Sequence, residues 1–384
     1  MGHTLEELLA DRVAQATTVD SVFTRDVAER VSRFTLDGGR RMRSQFLWWS
    51  MRACGGAGPE MRAALRTSAA LELIQTCALI HDDVMDGSSR RRGRPSFHAQ
   101  MAAQYPESVR RGVRASPFAS SAAILAGDLA LAWADDVMAE TEFPPGTRRR
   151  VLDIWRTMRT EMVAGQYLDL HGQTTGSRSI AQAIRTAYLK TALYSVERPL
   201  AFGAALAGAD TRTTQALCSA GRCAGIAFQL RDDLDGAFGD SRRTGKPSGD
   251  DIRAGKVTYL VTVARARAEA RADSDSLAVL DSMLGDSGLS PGGLARVRAV
   301  LVATGARSVV ESRIERLLAL SSRHLSDIGL PRPASRRLSG LLYAVAAQPA
   351  GEELPPDRRC SADGTPAALL LAGASAGPVD GARR

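Results

Sequence analysis

Residues 71–98 bring together side chains that could hold a cation against a polyanion. An apolar run from Leu71 to Ile80 is followed at once by Asp82, Asp83 and Asp86, and then by Arg90, Arg91, Arg92 and Arg94. At about 3.6 residues per helical turn, Asp82 and Asp86 lie on nearly the same face and Asp83 and Asp86 are neighbours. Carboxylates crowded this way repel one another unless cations are shared between them. Oxygen ligands without His or Cys favour a hard ion such as magnesium, which binds one or two carboxylates together with phosphate oxygens. Arginines a turn beyond supply planar donors matched to phosphate. The stretch reads as a metal–diphosphate site, although taken alone a solvated acidic helix end beside a wet basic loop accounts for it equally well.

A second acidic cluster changes that balance. Residues 226–240, IAFQLRDDLDGAFGD, again form an apolar helical run that ends in paired aspartates, Asp232 and Asp233. Two apolar helices carrying carboxylates at the same relative position can place them across a shared cavity, where they could clamp metal ions around one polyanion.

With these motifs in order, the chain resembles the trans-isoprenyl diphosphate synthases, the polyprenyl synthetase family, and within it is most like a geranylgeranyl diphosphate synthase. The resemblance covers roughly residues 35–345. Gly38, Gly39, Arg40, Arg41, Met42 and Arg43 match the family's GGKRxR segment, and HDDVMD its first aspartate-rich motif. Arg91, Arg92 and Gly93 match the RRG that follows, Lys190 and Thr191 the KT pair, and Phe228 to Asp233 the second motif. Gly245, Lys246 and Gly255, Lys256 match two later lysines. The ordered set is far more specific than any one member.

The resemblance implies an all-α, single-domain antiparallel bundle around a central cavity, and a homodimer. It implies prenyl transfer, with magnesium held by Asp82, Asp83, Asp86, Asp232 and Asp233 so that an allylic diphosphate becomes a leaving group. Arg91, Lys190, Thr191, Gln229, Lys246 and Lys256 carry over as diphosphate contacts, mostly on the allylic side. Arg40, Arg41, Arg43, Arg92 and Gln75 carry over to isopentenyl diphosphate, Arg40 and Arg43 holding its diphosphate. Gln75 stands seven residues before Asp82, two turns away on the same side. The double bond of isopentenyl diphosphate attacks the allylic cation, and the proton lost leaves with the diphosphate, so no dedicated base is required. A glycine-punctuated loop, 241–256, could close over substrate and keep water from the cation.

Three features depart from the family pattern. Gly236 occupies the place of the last aspartate in the second DDxxD; Asp235 is one residue out of register and Asp240 is eight residues after Asp232. Ser44 replaces the usual proline, and Arg40 the usual lysine. Neither Ser44 nor Arg40 removes a required group, and at the second motif Asp232 alone is expected to suffice for metal binding.

Two rivals use similar chemistry. A terpene cyclase would carry an Asn-Ser-Glu metal triad in place of the second acidic pair, and none is found. A non-catalytic synthase subunit would have lost one acidic motif, whereas this chain keeps the leading aspartates of both.

Product length should follow from the helix leading into Asp82. At about 1.5 Å per residue, Ala78 and Cys77 lie roughly 6–7.5 Å below the aspartate, at the depth of an elongating tail. In members that stop at farnesyl diphosphate this level commonly carries an aromatic block. Here both side chains are small, so the channel should stay open, with Ile74 and Leu71 as its floor. Geranylgeranyl diphosphate is the expected main product, farnesyl or longer diphosphates the alternatives.

The rest of the chain must position these groups. Of 384 residues, 44% are hydrophobic and 24% charged, as in an ordinary folded protein. The net charge of +8 suits an anionic partner, but 42 acidic residues are interspersed among 50 basic ones. No basic face with interleaved aromatics or zinc spacing supports nucleic-acid binding. Helical periodicity dominates, and no period-two run would make a sheet. Helices are expected over 20–34, 45–53, 61–80, 119–139, 147–168, 179–207, 211–232, 258–272, 294–320 and 335–347, after a first one around Leu5 to Val13. Residues 171–177 and the basic stretch 106–117 read as loops. His81 reads as a packing residue. One helical domain is expected over 1–347, followed by a disordered Pro/Gly/Ala-rich tail, 348–384. Five cysteines without a CxxC pair, and no secretory signal or apolar run near the ~20 residues of a membrane span, point to a cytoplasmic protein.

Overall fold

Glycine and proline cut the apolar sequence into lengths that can bury one face each, and these become helices. The computed structural model describes residues 1–106, 117–239 and 248–347. Helix α1 is Gly2–Thr17, α2 the short Ser21–Phe23, α3 Glu29–Leu36 and α4 Met42–Ala53. A π-helical turn, Thr24–Ala28, joins α2 to α3. The central helix α5 is Pro59–Met85, followed by α6 Phe97–Gln104, α7 Pro117–Glu140 and α8 Arg148–Thr175. Helix α9, Ile180–Ala187, runs through a second π segment, Tyr188–Glu197, into α10, Arg198–Leu206. Then come α11 Thr211–Phe238, α12 Asp250–Arg253, α13 Tyr259–Ala270, α14 Ser274–Met283, α15 Pro291–Ala303, α16 Ala306–Ser326 and α17 Ala334–Ala347. The all-α class is as expected.

Helix α5 shows why the fold holds. Proline at its first turn has no amide hydrogen to leave unpaired. Leu71, Leu73, Ile74 and Ile80 are fully buried, and each contributes about 1.5–3 kcal/mol of burial. The helix packs along α7, while α11 packs along the second π segment and α16. Glycines make room for the π segment's wide turn: a β-carbon at Gly165 would lie 2.4 Å from the Lys190 amide nitrogen, and one at Gly225 would lie 2.6 Å from Ala192 Cα. Side chains there would push the segment away from α8 and α11.

Several expected boundaries move. Helix α5 does not stop at Ile80 but runs through the aspartates to Met85. It is thereby long and apolar enough to cross a membrane by length and composition, a correction to the reading that no stretch approaches that length. Its most apolar window is 72% buried in the bundle, as a core helix would be. Helix α8 continues through residues 171–175, which read as loop, because Gly172 is buried against its neighbours and the αL cap falls later, at Gly176. Gly305 divides the expected helix 294–320 into α15 and α16. Helices α6, α12 and α14 were not read from the sequence.

A small two-stranded sheet also forms where none was expected. Strands β1, Arg90–Arg91, and β2, Arg94–Pro95, pair antiparallel. Between them Arg92 (φ 52) and Gly93 (φ 75) both take positive φ, the conformation of a two-residue type I′ hairpin. The tail 348–384 and most of the basic loop 106–117 lie outside the described residues.

Candidate active site

Asp82, Asp83 and Asp86 stand at the C-terminal end of α5, and Asp232 and Asp233 in the last turns of α11. Both clusters therefore meet the negative end of a helix dipole, where a carboxylate is disfavoured. Cations compensate. Lys190 Nζ lies 2.6 Å from Asp169 Oδ2 and 3.4 Å from Asp82 Oδ1. Gln166 Nε2 donates to Asp82 Oδ1 at 3.1 Å. Burial pushes the Asp82 carboxyl up, but Lys190, Arg91, Lys256 and the Gln166 hydrogen bond outweigh it and hold it down at about 2.

The hairpin turns Arg91 back onto the same cluster. Its Nε donates to Asp83 Oδ1 at 2.8 Å and its Nη2 to Asp82 Oδ2 at 3.0 Å. Asp83 is fully buried, and burial raises its pKa despite the arginine.

Lys256 joins the two acidic regions. Its Nζ donates to Asp86 Oδ2 at 2.9 Å, across 170 residues of sequence, and lies 3.6 Å from Asp251 Oδ1. On α11, Gln229 Nε2 donates to Asp233 Oδ1 at 2.8 Å, and Thr191 Oγ1 donates to Gln229 Oε1. The KT pair and the second motif thus belong to one hydrogen-bonded chain. Burial pushes the Asp233 carboxyl up to about 8, with Asp251 and Asp232 adding to the rise.

Gly236 leaves a gap, and Asp251 fills it. A β-carbon at position 236 would lie 2.1 Å from Asp251 Oδ2 and 2.9 Å from its Cγ. The carboxylate missing from the second motif is met in space by one from α12. Asp251 was not among the residues read from the sequence, and neither were Gln166 and Asp169. Their only signals were a Gly-Asp-Asp run before Lys256 and a Gln/Asp pair three apart on α8. Lys246, Gly245 and Asp240 lie outside the described residues.

The basic loop splits its roles. Arg41 takes a left-handed conformation (φ 48) and turns inward. It donates to the Thr35 and Leu36 carbonyls at 3.0 and 2.9 Å and pairs with the buried Glu72 at 3.1 Å. Ser44, in place of the usual proline, donates to the other Glu72 oxygen at 2.6 Å. Arg41 therefore braces the loop. Arg43 faces the second π segment, donating to Ser195 Oγ at 2.6 Å with its guanidinium 4.3 Å from the Tyr194 ring centroid. Arg40 is half-buried, with burial lowering its pKa and Asp232 and Asp235 opposing. Arg92 is lowered by burial and by the neighbouring Arg91, Arg41 and Arg43, against the pull of Glu72. Among the described residues, the buried Gln75 Oε1 and Arg43 Nε have no hydrogen-bond partner. A cluster of arginines with unpaired polar atoms is a place for an anion.

Along the buried middle of α5, from Thr67 to Asp83, Gln75, Ala78, Leu79 and Asp82 are only partly buried, as is His81 on the Cys77 side. The i, i+3, i+4, i+7 spacing of the first four makes one continuous stripe. Cys77 turns elsewhere. It is 4% exposed, with Sγ 3.8 Å from His81 Nδ1. His81 Nε2 lies 3.0 Å from the Ile124 carbonyl, in a notch at Gly127 that a β-carbon would close. His81 thus packs between α5 and α7, turned away from Asp82. Ile74 and Leu71 are fully buried.

Every candidate metal donor is a carboxylate oxygen, and lysines already lie among the carboxylates, so the charge pattern fits a hard divalent ion. Among the described residues no group of three acidic, His or Cys side chains is gathered tightly enough to hold an ion unaided.

An all-helical fold with two acidic helix ends and a facing arginine loop defines a class that handles diphosphates with metal. The Polyprenyl synthetase family model matches residues 25–288. A geranylfarnesyl diphosphate synthase from Aeropyrum pernix is 30% identical over 308 residues, covering 79% of this chain and 88% of that protein. A farnesyl diphosphate synthase from Geobacillus stearothermophilus is 33% identical over 241 residues, 60% of this chain and 73% of that one. A geranylgeranyl pyrophosphate synthase from Corynebacterium glutamicum, solved with isoprenyl diphosphate and magnesium, superposes with a TM-score of 0.82. It is 35% identical, with 90% of this chain and 98% of that one covered. The chain belongs to the polyprenyl synthetase family and is a prenyltransferase that elongates trans-prenyl chains.

Proposed function

We propose that the enzyme condenses isopentenyl diphosphate with an allylic diphosphate, in a magnesium-dependent reaction whose main product is geranylgeranyl diphosphate. The observation that carries this reading is the Lys256 bridge between Asp86 and Asp251, which draws the two acidic regions to one place. Bound magnesium supplies the charge that makes the allylic diphosphate a leaving group. Asp82, Asp86 and Asp232, with Asp83 and Asp233 in support, are the residues that would hold the ions together with the substrate diphosphate. Lys190, Lys256, Arg91, Thr191, Gln229 and Lys246 hold the allylic diphosphate and stabilise charge as it develops. Arg40, Arg43, Arg92 and Gln75 orient isopentenyl diphosphate, and Arg41 shapes their loop. Holding both reactants in line is the entropic part of the catalysis.

Product length rests on the α5 stripe: Ala78 is small and half-buried at the level of the growing chain. Relatives named for farnesyl, geranylgeranyl and geranylfarnesyl products leave farnesyl and longer diphosphates as the alternatives. Exposed Ile124 and Leu125 on α7 and Val163 and Tyr167 on α8 are apolar side chains that a homodimer could cover. Free thiols at Cys54, Cys77, Cys218 and Cys223 fit a reducing compartment such as the cytoplasm.

Labelled isopentenyl diphosphate, magnesium and dimethylallyl, geranyl or farnesyl diphosphate, with chromatography of the products, test the proposal. Incorporation ending at the geranylgeranyl chain is expected. A cyclic hydrocarbon made without isopentenyl diphosphate would mark a terpene cyclase, and no incorporation with any primer would mark a non-catalytic subunit.

A further inference from the structure

The second π segment, Tyr188–Glu197, carries Lys190 and Thr191 at its start and Tyr194 and Ser195 further along. The first pair reaches Asp82 and Gln229; the second pair reaches Arg43, which belongs to α4. Ser195 and Tyr194 are 2% and 3% exposed, so neither competes with water for the guanidinium. An arginine side chain has many rotamers and loses much freedom when fixed. A hydroxyl acceptor on Nη2 and an aromatic face against the guanidinium plane restrict both its position and its tilt. Nε is buried and has no hydrogen-bond partner among the described residues, so Ser195 and the Tyr194 ring are the contacts that fix the guanidinium.

We propose that Tyr194 and Ser195 are positioning residues for Arg43, holding its guanidinium in the orientation that binds the diphosphate of isopentenyl diphosphate. This rests on the substrate role given to Arg43 above. One π segment then serves both substrates, presenting Lys190 and Thr191 to the allylic side and fixing Arg43 for the homoallylic side. Neither serine nor tyrosine touches the diphosphate in this account; both act through the arginine.

The test is steady-state kinetics of Arg43→Ala, Ser195→Ala, Tyr194→Leu, Tyr194→Phe and the double variant Arg43→Ala/Ser195→Ala, each with KM measured separately for the two substrates. Ser195→Ala should raise the isopentenyl diphosphate KM about tenfold, the scale of one hydrogen bond to a charged group, and Tyr194→Leu by a comparable factor, the scale of a desolvated cation–π contact. The allylic KM should stay within about twofold of wild type, a split that general loosening of the bundle would not produce. Tyr194→Phe keeps the ring and should recover most of the wild-type KM. Adding Ser195→Ala to Arg43→Ala should change nothing further, because the residue it positions is gone.

Equal rises in both KM values, additive effects in the double variant, or Tyr194→Phe behaving like Tyr194→Leu would overturn the proposal. If Arg43→Ala itself left the isopentenyl diphosphate KM unchanged, the proposal would fall with the role of Arg43. If Arg43→Ala raised that KM while Ser195→Ala and Tyr194→Leu did not, only the positioning would be wrong.

Discussion

The Asp251 carboxylate stands where a side chain at Gly236 would have to go, 2.1 Å from the β-carbon that position lacks. Two features that look independent in sequence are thus one arrangement in space: a glycine where the motif has an aspartate, and an aspartate fifteen residues later filling the vacancy. Lys256, 3.6 Å from Asp251, ties the substitute carboxylate to Asp86.

Restoring the family residue should therefore harm this enzyme. Gly236→Asp would push a carboxylate into one already present, combining steric overlap with like charge. Activity measured against free magnesium should fall and the magnesium requirement should rise. In an Asp251→Gly background the same substitution should be tolerated, giving strong non-additivity in the double variant. Additive effects would show that the two positions do not share the space.

Product length should respond to Ala78 more cleanly than to Cys77. Ala78 is half-buried on the stripe that ends in Asp82, so Ala78→Phe should shift product toward farnesyl diphosphate with first-step condensation intact. Cys77 is packed against His81, so Cys77→Phe should overpack the α5–α7 contact and cost about 1–3 kcal/mol of stability. Chromatography of products beside urea melts distinguishes the two. An unchanged product from a folded, active Ala78→Phe would place the channel elsewhere.

Thiol chemistry offers a check on packing. Burial pushes the Cys77 thiol up to about 12 and those of Cys54 and Cys218 up to about 11. A raised thiol pKa keeps the neutral form in the fold, so thiolate is scarce at pH 8 and its share grows as pH rises toward these values. Iodoacetamide at pH 8 should leave Cys77 unlabelled in the folded protein and label it on unfolding, as read by peptide mass spectrometry. Rapid labelling of folded protein would contradict the close packing at His81.

Much of the candidate site was legible in the sequence because its acidic groups sit near helix ends, where apolar periodicity stops and charge begins. Asp82, Asp86, Asp232, Lys190 and Lys256 announced themselves by type and by order. Asp251, Gln166 and Asp169 did not, because each is an ordinary polar residue until the fold brings it beside another element. The π segment was hidden as well: over ten residues, its wider turn leaves the same apolar pattern as an α-helix. Arg41 shows a different limit. Nothing in a run of arginines says which one turns inward, and only the buried Glu72 decides it.

The central claim is that the ends of α5 and α11 act together on one metal-bound diphosphate, and Asp232→Ala measures it most directly. Turnover of labelled isopentenyl diphosphate with an allylic primer, taken at saturating magnesium, should fall by orders of magnitude. The urea midpoint should stay near wild type, since Asp232 is only partly buried and makes no close ion pair among the described residues. Near-normal turnover by Asp232→Ala would contradict the account, because the second acidic helix would then have no part in the chemistry.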